Sequence, residues 1–371
     1  MNKSGKKVCR DAKKSQFCTF KYVSMFSKKV IPIFPLLIVL LLPQWLFGQN
    51  SDSLKMNVPE LRKWVQFDGV LKNKFEVSTN KGVMRFNVRN SRVGVRGDLG
   101  DYVSYRFQVE LSAEGSFSVL DLYGTLKPFK GLSFIFGQVL LPFENTYIVN
   151  VADMLFANKP FLGDYFTQNS RDMGLMMNYK FLLGSFPIEA QAGLFNGRGI
   201  NNPQWATQPT YGFRLIVGAM ERFRATAKIL HYQTELVNHF LWGADIHYAH
   251  ERFRIEAEVR NRKNIPTGRN LSGAYMQGAW YYNLHHDGMF HYISPALRWD
   301  AMGYDIKDRG VDVNRITLGV DFGLALKPFE SVLRLNYEHF FVQKDAFLTY
   351  FENRDPYVAD NKITLELMIK F

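Results

Sequence analysis

The sequence predicts an all-β chain, a transmembrane antiparallel β-barrel of about sixteen strands with a long third external loop. Three observations predict it: apolar and polar residues alternate from Val65 onward, short connections alternate with longer ones, and a final amphipathic strand ends on Phe371. Composition agrees. The 371 residues are 47% hydrophobic and 15% aromatic, enough for a large ordered structure, yet mean hydropathy is only -0.17. That value excludes a bundle of membrane helices, because only Ile31 to Phe47 approaches the ~20 apolar residues a spanning helix needs. A barrel escapes this test, since each strand alternates lipid-facing with lumen-facing residues.

The Ile31 to Phe47 stretch follows Lys28-Lys29, contains Pro32, Pro35 and Pro43, and ends in Leu46-Phe47-Gly48-Gln49. It reads as a secretory signal cleaved near Gly48, the prolines and the modest length arguing against a retained anchor. Residues 1–24 are basic and lack hydrophobic periodicity, whereas Met25-Phe26-Ser27-Lys28-Lys29 makes an ordinary signal start, so translation is expected to begin at Met25. The expected organisation is a signal segment over 1–48, a short periplasmic segment over 49–63 and a barrel over 64–371. Residues 1–48 hold nine Lys or Arg and one acid, Asp11, so their removal leaves 37 basic against 33 acidic residues and lowers the net charge from +12 to +4. The isoelectric point of about 9.5 is therefore largely a property of the signal, and a nucleic-acid partner loses its main support. Cys9 and Cys18 leave with the same segment, so the mature chain can have no disulfide, thiolate nucleophile or Cys-ligated metal.

Period-two alternation marks a strand with one apolar and one polar face. From 102 to 111, Val103, Tyr105, Phe107, Val109 and Leu111 oppose Tyr102, Ser104, Arg106, Gln108 and Glu110. From 252 to 261, Phe253, Ile255, Ala257 and Val259 oppose Arg252, Arg254, Glu256, Glu258 and Arg260. From 315 to 326, Ile316, Leu318, Val320 and Phe322 oppose Arg315, Thr317, Gly319 and Asp321. Continued along the chain, the pattern places strands at 64–72, 84–99, 102–111, 117–127, 131–138, 172–180, 187–195, 211–219, 223–232, 238–249, 252–263, 272–284, 289–300, 313–326, 331–344 and 361–371. Most reach the ~9–11 residues that a tilted strand needs to cross a bilayer. An even count suits a closed barrel with both chain ends on one side.

The connections divide by parity. Gly100-Asp101, Pro128-Phe129-Lys130, Met220-Glu221-Arg222 and Lys327-Pro328-Phe329-Glu330 are short and fall on one side, as periplasmic turns should. On the other side lie 73–83, 139–171, 196–210, 264–271, 301–312 and 345–360, with 112–116 and 233–237 as short exceptions. In the last strand, Ile363, Leu365, Leu367, Ile369 and Phe371 alternate with Thr364, Glu366, Met368 and Lys370. A terminal strand of this kind is expected to engage the outer-membrane assembly machinery, and the outward faces are expected to meet outer-membrane lipid.

Selectivity in a pore comes from its width and from the charges lining it. The registers turn Arg92, Arg96, Arg106, Lys127, Arg214, Arg222, Arg224, Lys228, Arg252, Arg254, Arg298, Arg315 and Arg334 to the lumen. The same side also carries Asp98, Glu110, Asp121, Glu189, Asp245, Glu256, Glu258, Asp300, Asp321 and Glu338. The pore-lining set is expected to include Arg92, Arg96, Arg106, Lys127, Arg224, Arg254, Arg298, Arg315 and Arg334. The bland alternative for each is pairing with an acid on a neighbouring strand. Basic residues lead slightly, which supports a mild anion preference and no more. The longest loop, 139–171, is rich in apolar residues, with Leu141, Pro142, Phe143, Phe156 and Phe161 among them, and is expected to pack inward as a constriction.

Between Asp121 and Arg171 the sequence resembles the phosphate-selective porin O and P family. The likeness is carried by Leu122-Tyr123-Gly124-Thr125-Leu126-Lys127-Pro128-Phe129, by Leu132 through Phe136-Gly137-Gln138, and by Leu141-Pro142-Phe143. It continues in Arg171-Asp172-Met173-Gly174 and Gly193-Leu194-Phe195-Asn196-Gly197. This resemblance covers roughly the first half of the barrel and implies a sixteen-stranded outer-membrane porin, a homotrimer, passing small hydrophilic or anionic solutes. The family's dense ladder of basic pore residues is matched here only by a mixed-sign lumen.

No cofactor and no metal are expected. His231, His239, His247, His250, His285, His286, His291 and His339 are scattered over several strands and turns and read as ordinary packing residues. Gly197-Arg198-Gly199 is too short for a phosphate loop and precedes no helix. A barrel enzyme of lipase or protease type would need a nucleophile, a base and an orienting group together, and His239 and Ser294 have no evident partner set. A gated receptor would need a plug domain, whereas only Gln49 to Lys63 precede the first strand. No catalytic residue is assigned, and the expectation is a passive pore, with an oligosaccharide-specific channel as the variant reading.

Overall fold

The computed structural model describes residues 63–371 except 114–115, 146–149, 168–169, 220–221, 235–236, 285–287, 327–328, 344–356 and 358. The signal segment, the Met25 start and all but the last residue of the 49–63 segment lie outside the described residues.

Strand pieces run in chain order as β1 (Gln66–Ser78), β2 (Met84–Val88), β3 (Arg92–Asp98), β4 (Val103–Ala113), β5 (Ser116–Phe129) and β6 (Leu132–Leu140). They continue as β7 (Arg171–Leu183), β8 (Phe186–Phe195), β9 (Thr210–Gly218), β10 (Phe223–Gln233), β11 (Asn238–Ala249) and β12 (Phe253–Asn264). The last are β13 (Asn270–Trp280), β14 (Tyr282–Asn283), β15 (Tyr292–Tyr304), β16 (Val313–Ala325), β17 (Glu330–Val342) and β18 (Lys362–Lys370). Because β2 with β3, and β13 with β14, are two pieces of one stave, the barrel has 16 strands. Each neighbouring pair is antiparallel, and β1 closes the ring against β18. Two single-turn helices, α1 (Leu162–Tyr165) and α2 (Ile306–Arg309), sit in connections.

The alternation produces this architecture directly. Along β18, Ile363, Leu365 and Leu367 are exposed outward while Thr364, Glu366 and Met368 are buried inward. β9 repeats the pattern with Tyr211, Phe213 and Leu215 outside and Thr210, Gly212, Arg214 and Ile216 inside. The inversion, apolar out and polar in, is stable only where the outside solvent is hydrocarbon. Outward aromatic residues gather at both rims, with Phe67, Phe186, Phe223, Tyr248, Trp280 and Tyr282 near one and Phe86, Tyr211, Phe240 and Phe341 near the other. Such paired girdles mark the two membrane interfaces of a barrel. Among the described residues no helix is long and apolar enough to cross a membrane; the crossing elements are strands.

Connection parity holds in part. The three longest connections, 141–170, 196–209 and 343–361, share one rim, but that rim also carries the short links 79–83, 114–115, 234–237 and 265–269, and the other rim joins 99–102, 130–131, 184–185, 219–222, 250–252 and 326–329 with the longer 284–291. Two expectations are revised. The first strand runs on to Ser78 instead of ending at 72, because Lys72, Lys74, Glu76 and Ser78 are inward positions of the same alternation as Phe75 and Val77. The expected strand 84–99 is interrupted at 89–91, where Asn90 takes a left-handed backbone (φ 61°).

At the seam, Gly69 and Phe371 exchange both backbone hydrogen bonds, 2.8 and 3.0 Å. A Cβ on Gly69 would stand 2.4 Å from Cζ of the Phe371 ring, so the ring lies where a side chain would otherwise be. Gly69→Leu is expected to displace the ring and weaken closure by on the order of 1–3 kcal/mol. The temperature at which the folded band disappears on unboiled gels should fall, while Asn73→Leu, outward on the same strand, leaves it unchanged.

Candidate functional site

The interior of the barrel is occupied by the segment between β6 and β7. It enters at Leu141, where Leu141 and Phe143 join Met176, Phe195, Leu230, Tyr232 and Leu241 in an apolar cluster. It then descends far enough for Val151 and Met154 to pack on Val70, Val332 and Met368. The chain returns through Phe156 to Phe161, Leu162 and Phe166, which pack on Leu271, Tyr275, Met302 and Val313. Leu141, Pro142, Phe143, Phe156 and Phe161, the residues expected to form the constriction, are all buried inside the barrel.

An irregular segment surrounded by wall must find partners for its backbone polar groups. Wall cations supply them. Arg334 Nη2 donates to the Met154 carbonyl (2.9 Å), Arg254 Nη1 to Asp153 (2.8 Å), and Lys74 Nζ to Ala157 (2.6 Å). Arg298 Nη1 donates to Asn158 (2.8 Å), Arg315 Nη2 to Lys159 (2.7 Å), and Arg260 Nη1 to Leu162 (3.0 Å). In return the Ala157 N–H donates to Asn336 Oδ1 (2.8 Å) and the Phe161 N–H to Asp300 Oδ2 (2.9 Å).

The same guanidinium groups cover loop rings. Arg315 lies 4.5 Å from the centre of the Phe161 ring, Arg298 4.6 Å from Phe156 and Arg260 5.1 Å from Phe143. A desolvated cation on an aromatic face contributes ~2 kcal/mol. Inward glycines make room: at Gly273 a Cβ would meet Leu162 at 2.9 Å and Phe166 at 3.0 Å, and at Gly319 it would meet Phe156 at 3.0 Å.

Charge inside the barrel is balanced locally. Arg315 bridges Asp300 (2.6 Å) and Glu338 (2.7 Å), and Arg298 shares both acids at longer range. Arg334 joins Asp321 (2.7 Å) to Glu366 (3.0 Å), and Lys72 meets Glu366 at 3.1 Å. Arg260 links Glu258 (2.5 Å) to Glu144 of the loop (3.2 Å), while Lys228 and Arg224 converge on Asp245.

All nine expected lumen residues sit on the inner side, but in two different environments. Arg224, Arg298, Arg315 and Arg334 are 1–5% exposed, enclosed by acids and by the loop, and they hold that loop. Arg254 is bound to Glu256 and to Asp153 of the loop. Arg92 is buried in a pair with Glu110. The other three are more open to different degrees: Arg106 is half-buried and pairs with Asp68, Lys127 is partly exposed and pairs with Asp98, and Arg96 has a side chain 61% exposed. The sequence reading passed over Lys72, Lys74, Arg260 and Arg262. Arg260 stood on the polar face of its alternation, Lys72 was the last residue of the expected strand 64–72, and Lys74 was hidden by reading 73–83 as a loop.

Polar residues of the β5–β8 wall form a second network at the long-connection rim. Arg171 pairs with Asp121 (2.6 Å). Gln138 donates to the Val119 and Leu120 carbonyls and accepts from the Asn201 N–H. Asp172 accepts the N–H groups of Met173 and Gly197, each at 2.7 Å, fixing the turn after β8.

Two cavities border the loop among the described residues. One of about 110 Å³ at the long-connection rim is lined by Lys74, Arg85, Arg89, Lys159, Arg315 and Lys362 against Glu76 and Glu338. The other, about 570 Å³, lies along β7–β10 beneath Asn150 and Asp153.

A closed sixteen-stranded barrel with an apolar exterior, aromatic girdles, a charged interior and a loop folded within defines an outer-membrane porin channel of bacteria. Residues 65–288 match the family model "Phosphate-selective porin O and P", and the chain belongs to that family. Among solved structures it is similar to an anion-selective porin from Comamonas acidovorans, with 14% identity and a TM-score of 0.56 over 82% of this chain and 98% of that one. OmpF of Salmonella typhi in complex with daunomycin gives 12% and 0.57 over 83% and 97%. The trimer form of OmpT from Vibrio cholerae gives 12% and 0.54 over 83% and 99%. At such identities the likeness is one of fold. No curated protein sequence matches the chain significantly.

Removing Arg315 strips Lys159 of its donor and leaves Asp300 and Glu338 short of a cation, a loss of about 3 kcal/mol for a broken buried pair. Arg315→Ala is expected to loosen the internal segment. Limited proteolysis of the folded barrel should then cut between 150 and 162, and single-channel conductance should rise, whereas Arg96→Ala leaves the cleavage pattern unchanged.

Proposed function

We propose that the protein is a passive diffusion channel for small hydrophilic solutes with a mild preference for anions, acting as a homotrimer without catalytic activity. The observation that carries this reading is the one-sidedness of the interior. Hydrogen bonds from 150–166 run to β1, β12 and β15–β18, which leaves the wall of β3–β8 as the side along which solute passes. Arg96, Arg106 and Lys127 line that side, and the internal segment with Phe143, Phe156 and Phe161 is the constriction. The six cations of the basic cavity face four acids in contact with them, Glu76, Glu338, Glu366 and Asp300, and the small surplus raises the local concentration of anions at the mouth. The long connections are assigned to the external side, the apolar outer band to lipid and the Phe371 strand to recognition by the assembly machinery.

The trimer and the anion preference draw support from what the similar structures are, a trimeric OmpT and an anion-selective porin. Local pairing of most interior charges favours a weak preference over a steep one.

Recordings across planar bilayers test the reading. Purified protein should give ohmic current steps in groups of three, with a reversal potential in a salt gradient shifted modestly towards the anion equilibrium value. Arg96→Ala with Arg106→Ala should move that potential towards zero. An absence of steps, or a reversal potential on the cation side, would refute the channel or its preference respectively.

A further inference from the structure

The cavity along β7–β10 holds a cation, Arg214, that has no carboxylate in contact among the described residues. Arg214 on β9 borders it and is 3% exposed. Its Nη1 donates to the Glu144 carbonyl (3.1 Å), while Nε and Nη2 have no hydrogen-bond partner. Nearby carboxylates are engaged elsewhere: Asp245 with Arg224 and Lys228, Glu189 with Lys180, and Asp153 with Lys370. A buried guanidinium with two idle donors is costly unless something supplies acceptors.

The cavity offers a second feature. Its volume of about 570 Å³ is within the range of small-molecule sites. Beside Arg214 on the inner face stands Ile216, and register across β8 and β7 adds Pro187 and Leu182 towards the short-turn rim. Leu182 is 70% exposed, so the cavity opens there. A cationic head at the closed end and an apolar patch at the open end match an amphiphilic anion better than a small inorganic one, which would leave Leu182, Pro187 and Ile216 facing water.

We propose that this cavity is a binding site for organic carboxylates with an apolar body, Arg214 taking the carboxylate through a small rotation of its head and Ile216, Pro187 and Leu182 taking the hydrocarbon. The site lies on the open wall, so the proposal deepens the channel reading by naming a solute class. A guanidinium suits this task because its planar fork meets both carboxylate oxygens.

Equilibrium binding by calorimetry on the purified barrel in detergent tests it without any current, so a failure here is separable from a failure to conduct. Benzoate and hexanoate are expected to bind at least ten-fold more tightly than acetate or inorganic phosphate. Arg214→Gln should weaken benzoate ten-fold or more. Leu182→Gln, at the exposed end, should weaken it several-fold and serves if the first variant does not fold, as judged by its unboiled-gel band. Equal affinity for benzoate and inorganic phosphate, no measurable benzoate binding, or unchanged benzoate affinity in a folded Arg214→Gln or Leu182→Gln protein would overturn the proposal.

Discussion

The interior depends on the bonds between wall cations and the carbonyl groups of the segment threaded through the barrel. Thirty residues without strand pairing cannot be enclosed unless their peptide groups find partners. Three of these partners, Arg315, Arg298 and Arg260, each do three things. Arg315 donates to the Lys159 carbonyl, bridges Asp300 and Glu338 and covers the Phe161 ring. Arg298 repeats the arrangement one strand away on Asn158, Glu338 and Phe156. Removing any member therefore leaves several groups unsatisfied together, which is why the segment behaves as part of the wall.

This has a direct electrostatic consequence. A count of inward arginines treats them as equal contributors to the field, but a guanidinium flanked by two carboxylates contributes little beyond a few ångström. What a solute meets is the remainder: Arg96 at the surface, partly open pairs such as Lys127 with Asp98, and the basic rim cavity. A family name that speaks of phosphate thus sits on a chain whose interior cations are mostly committed to structure.

The fold was legible in the sequence because a barrel strand repeats every two residues and hydrocarbon tolerates few exceptions on its side. Ile316, Leu318 and Val320 against Arg315, Thr317 and Gly319 fix a face with no knowledge of neighbours. The polar face carries no equivalent label, since water, a salt partner and a buried loop all accept arginine. Hence Arg106 and Arg315 looked alike although one borders space and the other lies beneath Phe161. A signal was present in Gly273 and Gly319, inward glycines in otherwise regular strands, which are expected where another backbone or ring comes close. Lys72 and Lys74 were lost for a different reason: Lys72-Asn73-Lys74 puts a polar residue at an outward position, and the alternation fails there for one step.

The two walls of the barrel follow from the same chemistry. Where inward positions combine arginine, carboxylate and glycine, as on β12, β13 and β15–β17, the loop finds donors, acceptors and room, and it lies there. Across β5–β8 the polar groups are turned to other partners at the rim: Arg171 to Asp121, Gln138 to the β5 carbonyls, and Asp172 to the turn after β8. With those groups engaged, that wall offers the loop apolar packing at Leu141 and Phe143 and, among the described residues, no cation of the kind that holds 150–166. Eccentricity of the lumen is thus set by the distribution of hydrogen-bonding groups around the ring. The polar residues that carry the family likeness in β5–β8 are satisfied among themselves at the rim, so the loop meets this wall only through the packing of Leu141 and Phe143 on Met176 and Phe195.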